Sequence, residues 1–189
     1  MHFTPILSLP WRLHALLAAL SFMWLQWIKG VLDASYAASN HPVDYATGQT
    51  GFDAGLIKSY YAHMQDMGTL NIYFQTQLID FGFILGVALM GVCLCTLVAR
   101  LSPQSSWGRR MGLIAAICAL IGAACDTTEN LISFVMLANP AEFANWLALP
   151  YSAFAVVKFA MISCAMVCVV GSLMLAAVNF ARQITMKAA

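Results

Sequence analysis

Within the apolar stretch "GAACDTTENLISFVML" (residues 122–137) stand Asp126, Glu129 and Asn130. Residues three and four apart on a helix are neighbours, so these three and Ser133 form one polar stripe. Asp80 closes "YFQTQLID", where Tyr73, Gln77 and Asp80, followed by Ile84, recur at the same spacing. Lys158 sits in "AVVKF", two turns after Tyr151. Three carboxylates and one ammonium would carry −2 if all were ionised. A low-dielectric site resists that charge, so an acid keeps its proton or a cation or cationic ligand balances it. A buried carboxylic acid that keeps its proton is a general acid, able to protonate an alkene or a ring. The candidate catalytic residues are therefore Asp126, Glu129, Asp80 and Lys158, with Asp126 or Asp80 as the acid and Glu129 and Lys158 setting the field. Glu129 and Lys158 form a natural ion pair. Tyr73, Gln77, Asn130 and Tyr151 are the candidate ligand-binding residues.

The elements that must position these groups are membrane helices. The 189 residues are 61% hydrophobic and 9% charged, with mean hydropathy +0.78, against roughly 25% charged residues in soluble domains. A spanning helix needs about 20 mostly apolar residues, and four runs qualify, near residues 13–31, 72–98, 111–137 and 149–180. The expected fold is all-α: one integral membrane four-helix bundle with a long outer loop, residues 32–71. At about 1.5 Å per residue, Asp80, Asp126, Glu129 and Lys158 each lie about 14–20 Å from the outer end of their run, near the midplane of a hydrocarbon layer about 30 Å thick. Three helices thus bring charge to one depth. The first run offers only Ser21 and Gln26 there, so the second, third and fourth runs are expected to build the site.

The outer loop has a turn-rich half and a helical half. "FDAGLIKSYYAHMQDMG" places Leu56, Tyr60, Met64 and Met67 at helical spacing, with Asp53 as a cap and Gly68 as a stop. This predicts a short amphipathic helix lying on the outer leaflet or roofing the bundle. Arg12, Arg100, Arg109, Arg110, Arg182 and Lys187 fall on one side of the bundle. Lys29 and Lys58 fall on the other, among Asp33, Asp44, Asp53, Asp66 and Glu142. The positive-inside rule then places both termini in the cytoplasm of a bacterial-type inner membrane. "ASYAAS" after the first run has the small residues of a signal-peptide cleavage site, but Trp24, Gln26, Trp27 and Lys29 suit an interfacial anchor better.

Several chemistries lack their residues. The net charge of +1 gives no reason for a nucleic-acid partner. Haem sites in membranes use paired histidines, whereas His14 lies at a helix end, His2 at the terminus, and His41 and His63 in the outer loop. No metal site and no cofactor is expected. Cys93, Cys95, Cys118, Cys125, Cys164 and Cys168 all lie in apolar runs without C-x-x-C, unlike quinone-linked thiol oxidases, and read as small buried hydrophobes.

"YFQTQLID", "DTTEN" and "AVVKF", over about residues 53–165, resemble the pattern of a group of uncharacterised four-span membrane proteins with D-x-x-E-N in the third span. That resemblance implies that the cluster is one unit and implies no activity. A looser similarity of plan is to sterol-isomerase-like membrane proteins, which place acids on roofed membrane helices to handle a lipid or amine. The leading expectation is an acidic pocket for a lipid-like or amphiphilic molecule, with an acid-catalysed isomerase or cyclase as its chemistry. The alternatives are a non-catalytic membrane subunit locked by its polar network, and a proton- or cation-coupled small transporter. Expected partners are membrane lipids, a hydrophobic small molecule, and a homo- or hetero-oligomer.

Overall fold

Four runs of apolar sequence become four long helices because, in lipid, every backbone N–H and C=O must be satisfied within the segment. The computed structural model describes residues 3–188 and is helical throughout, with no strand among the described residues. His2, and the side chain of Lys187 invoked in the charge asymmetry, lie outside the described residues. In chain order the elements are α1 (Thr4–Leu7), α2 (Trp11–Ala38), α3 (Tyr45–Gln49), α4 (Ala54–Asp66), α5 (Leu70–Ala99), α6 (Trp107–Leu137), a 3-10 turn (Asn145–Leu147) and α7 (Ala148–Ala188). Helices α2, α5, α6 and α7 are long and apolar enough to cross a membrane, so the chain folds as an all-α membrane bundle. Their exposed faces carry Leu16, Leu20, Leu85, Leu89, Met166, Val167 and Val170, as a lipid solvent requires.

The helices outrun the apolar stretches. α2 continues to Ala38, not residue 31, because "DASYAA" contains no breaker and Lys29 pairs with Asp33 one turn on, at 2.5 Å. Asn40, at φ +54°, and Pro42 then turn the chain. The connection to α5 accordingly spans 39–69. Within it, Asp44 caps α3 by accepting from the Thr47 N–H at 3.0 Å, and Asp53 caps α4 by accepting from Gly55 and Leu56. Gly68, at φ +69°, ends α4. The amphipathic helix is rotated from the expected face. Its buried side is Ile57, Tyr60, Tyr61 and Met64, while Leu56 and Met67 are exposed.

The chain forms two compact units, each taking a stretch of every long helix. One comprises residues 1–23, 87–121 and 161–189. Its core is of small residues: Cys95, Ala115, Ala116, Cys118, Ala119 and Ala165. A Cβ on Gly112 would come within 2.8–3.0 Å of Ala99, the close approach that small residues allow between membrane helices. The other comprises residues 24–86 and 122–160. Its core is large and aromatic: Ile57, Tyr61, Met64, Tyr73, Met136, Phe143, Leu147 and Tyr151.

Candidate functional site

The second unit contains the predicted cluster. Lys158, on α7, donates to Glu129 Oε2 at 2.6 Å and Asp126 Oδ1 at 2.9 Å, both on α6, and to Gln49 Oε1 at 3.0 Å at the end of α3. An ammonium has three N–H donors, and all three are used. Asp126 and Lys158 are 4% exposed and Glu129 is fully buried, so the ions are paired where water cannot screen them. Asp80, on α5, stands outside the triad. It accepts from Asn130 Nδ2 at 2.6 Å and is only partly buried.

The network does not close. Tyr61 OH, Gln77 Oε1, Glu129 Oε1, Asn130 Oδ1 and Ser133 Oγ are buried and have no hydrogen-bond partner among the described residues. Each such group costs about 1–3 kcal/mol if it stays unpaired. Five in one cluster would be a large fraction of the roughly 5–15 kcal/mol that holds a typical domain together. They belong together by position: Glu129, Asn130 and Ser133 follow one stripe of α6, and Gln77 is one turn before Asp80. The Tyr61 hydroxyl and Ser133 Oγ face each other near Glu129 as a loose pair, outside ordinary hydrogen-bond geometry. Burial pushes that hydroxyl well above its usual pKa, so Tyr61 remains a neutral donor and acceptor.

The connection 39–69 reaches the cluster through Gln49 and Tyr61, and its rings pack on Tyr36 of α2 and Tyr73 of α5. Tyr36 stacks on Tyr45 at 3.7 Å between centroids, and His41 lies 5.1 Å from Tyr60 and 5.3 Å from Tyr73. Polar pins hold the connection in place: Lys58 Nζ donates to Asn145 Oδ1 at 2.7 Å, and the Phe52 N–H to Ser152 Oγ at 3.1 Å. Tyr73 and Tyr151 are buried in the core beneath it, near Glu129. Burial also lowers the His41 pKa, which keeps that ring neutral.

The predicted residues thus meet with two differences. Lys158 has a second acid, Asp126, besides the expected Glu129, and a roof residue, Gln49, which lies in a polar loop with nothing in its sequence to separate it from Asn40 or Thr50. Tyr61 was legible in principle, as it falls three and four residues from Met64 and Ile57. Among the described residues, Gln26 of α2 is exposed and takes no part. No group of three or more His, Cys, Asp or Glu side chains among them is arranged to hold a metal ion.

The first unit has a polar cluster of its own. Arg100 donates to the Leu9 carbonyl at 2.9 Å and to His14 Nδ1 at 3.0 Å. Arginine has no acceptor, so Nδ1 is the bare nitrogen and Nε2 carries the hydrogen. Nε2 then donates to the Cys93 carbonyl at 2.9 Å, with Thr96 Oγ1 at 3.1 Å. Thr96 in turn donates to the Val92 carbonyl at 2.5 Å. His14 and Thr96 are fully buried, and every polar atom of the pair is matched. Nearby in sequence, Ser102 Oγ is unpartnered. Cys118 and Cys164 are free thiols 3.7 Å apart.

Fold and site together define a helical membrane bundle that carries a buried, open polar cluster. Neither a protein family, nor a curated protein, nor a solved structure matches the chain.

Proposed function

We propose that the Lys158 cluster is a ligand site in a multi-pass inner-membrane protein, with both termini cytoplasmic, and that its ligand is a lipid-like or amphiphilic molecule. The observation that carries this reading is the set of five buried polar atoms without protein partners. A network that only fixed helix register would be expected to satisfy itself, because unsatisfied groups lower stability. The chemistry open to such a site is proton transfer. Asp126 is committed to Lys158, so Asp80 is the better acid of the two sequence candidates: it is free of the ammonium and partly accessible. In an isomerisation the O–H bond of protonated Asp80 breaks as a C–H bond forms on an alkene. The resulting carbocation then returns a proton from the neighbouring carbon to the carboxylate. No oxidant or reductant is needed. The test is native mass spectrometry of protein extracted gently from its membrane. We expect a stoichiometric small molecule on the wild type and its loss in Asp80→Asn. A wild type without any bound molecule would contradict the reading.

The second reading is a non-catalytic membrane subunit held in register by the cluster. It is favoured by one observation, that Lys158 ties together α3, α6 and α7.

A further inference from the structure

Four of the six cysteines gather in the first unit, and the proposed function uses none of them. Cys95 of α5 and Cys118 of α6 are buried in its core, and Cys168 of α7 packs against them. Cys118 Sγ donates to Cys164 Sγ, one turn before Cys168 on α7, at 3.7 Å. Cys164 is exposed in the middle of a spanning helix, where its surroundings are hydrocarbon. An apolar pocket of about 260 Å³ shares Cys95, Ala119, Ala165 and Val169 with this core. Space for an apolar chain therefore borders the thiols.

The surroundings decide which thiol chemistry is open. Nucleophilic and metal-binding cysteines act as thiolates. All eight Asp and Glu residues of the chain lie in the second unit, and both ring nitrogens of His14 are engaged. Among the described residues of the first unit, no free base stands ready to take a thiol proton, and hydrocarbon would not solvate the thiolate. Loss of a hydrogen atom creates no charge, so an apolar medium does not oppose it.

We propose that Cys118 and Cys164 are a disulfide-forming site for radicals generated in the hydrocarbon layer, of the class of lipid peroxyl radicals. One peroxyl radical takes the hydrogen atom of Cys164: the S–H bond breaks, an O–H bond forms, and a lipid hydroperoxide leaves. Cys118, whose S–H is directed at Cys164, passes its hydrogen to that sulfur, and a second peroxyl radical removes it there. The two sulfur radicals then pair their electrons in an S–S bond. Two thiols and two peroxyl radicals give one disulfide and two hydroperoxides. The sulfurs already touch, so the pairing step is short.

The test uses the full chain in vesicles of dilinoleoyl phosphatidylcholine. A lipid-soluble azo initiator in air is the radical source, and tetrathionate is the oxidant confined to water. Accumulating lipid hydroperoxide shows that radicals are present, and mass spectrometry of non-reduced peptides reads the link. The initiator is expected to remove two hydrogens from the chain and join the Cys118 and Cys164 peptides, while tetrathionate leaves both thiols intact. Cys164→Ala should abolish the link and leave Cys118 reduced. Cys93→Ala should change nothing. Hydroperoxide without a link, or a link between other cysteines, overturns the site. Sulfonic acid at Cys164 in place of a link overturns the pairing. An equal yield with tetrathionate overturns the hydrocarbon route, and oxidation of Cys118 in Cys164→Ala overturns entry through Cys164.

Discussion

Two buried polar clusters in this chain start from similar parts and finish differently. Around His14, one cation, one imidazole, one hydroxyl and three backbone carbonyls satisfy each other, and the tautomer of the ring follows from its partners. Around Lys158 the cation is saturated, yet five neighbouring polar atoms are left over. The surroundings differ to match. The first unit brings its helices close on alanine, cysteine and glycine, and the pocket of about 260 Å³ among Leu94, Cys95, Ala119, Ile162 and Ala165 is lined by apolar side chains. The second packs aromatic rings and a pinned connection. The first cluster needs nothing from outside the chain. The second leaves buried polar atoms open, and that is the main reason to read it as a site and not as a lock.

The largest effect that sharpens this contrast comes from the cations. Lys158→Met leaves Asp126 and Glu129 buried and uncompensated and is expected to cost on the order of 3–5 kcal/mol. Chemical denaturation should show little folded protein. Arg100→Met removes bonds to a carbonyl and an imidazole at a partly exposed position and is expected to cost only about 1–2 kcal/mol. Equal losses would mean that the two clusters serve the same structural purpose. Gly112→Val probes the packing of the first unit. Forcing a side chain against Ala99 is expected to cost about 1–3 kcal/mol, seen as a lower Tm without loss of any ligand effect. Asp80→Asn is expected to change stability by less than about 1 kcal/mol, since the amide can still accept from Asn130, and to abolish ligand binding or turnover.

A smaller effect belongs to the roof. Burial lowers the His41 pKa, so the folded state keeps the ring neutral while the unfolded chain binds a proton below about pH 6.5. The contribution is therefore fully present above that pH and is lost as pH falls through it toward the folded value. Melting curves at pH 7.5 and 5.5 should show a smaller decline for His41→Gln than for the wild type. An unchanged decline would remove His41 from the account.

Much of this was legible in the sequence, for a definite reason. A charge in a spanning helix must find a partner at its own depth, so residue spacing alone sets Asp126, Glu129 and Lys158 at one level. The same spacing sets Asp80 beside them. Gln49 was hidden because its contact depends on how a capped five-residue helix hangs from the roof, and loop composition says nothing of direction. The face of α4 was misphased because Leu56 and Ile57 are both apolar, and tyrosines suit either face of a short helix. α2 ran long because polar but helix-compatible residues ended the apolar run without ending the helix. The unsatisfied atoms lay beyond reach altogether, since satisfaction is a property of geometry and not of residue type.

One pair of substitutions tests the difference between the clusters most directly. Ser133→Ala removes a buried hydroxyl that has no partner, and Thr96→Val removes one that is matched. In extensively delipidated protein, melting should show Ser133→Ala at or above the wild-type Tm and Thr96→Val below it by roughly 2–4 °C, the shift expected for about 1 kcal/mol. A Ser133→Ala protein that melts as far below the wild type as Thr96→Val would contradict the account, because the Lys158 cluster would then be as closed as the one around His14.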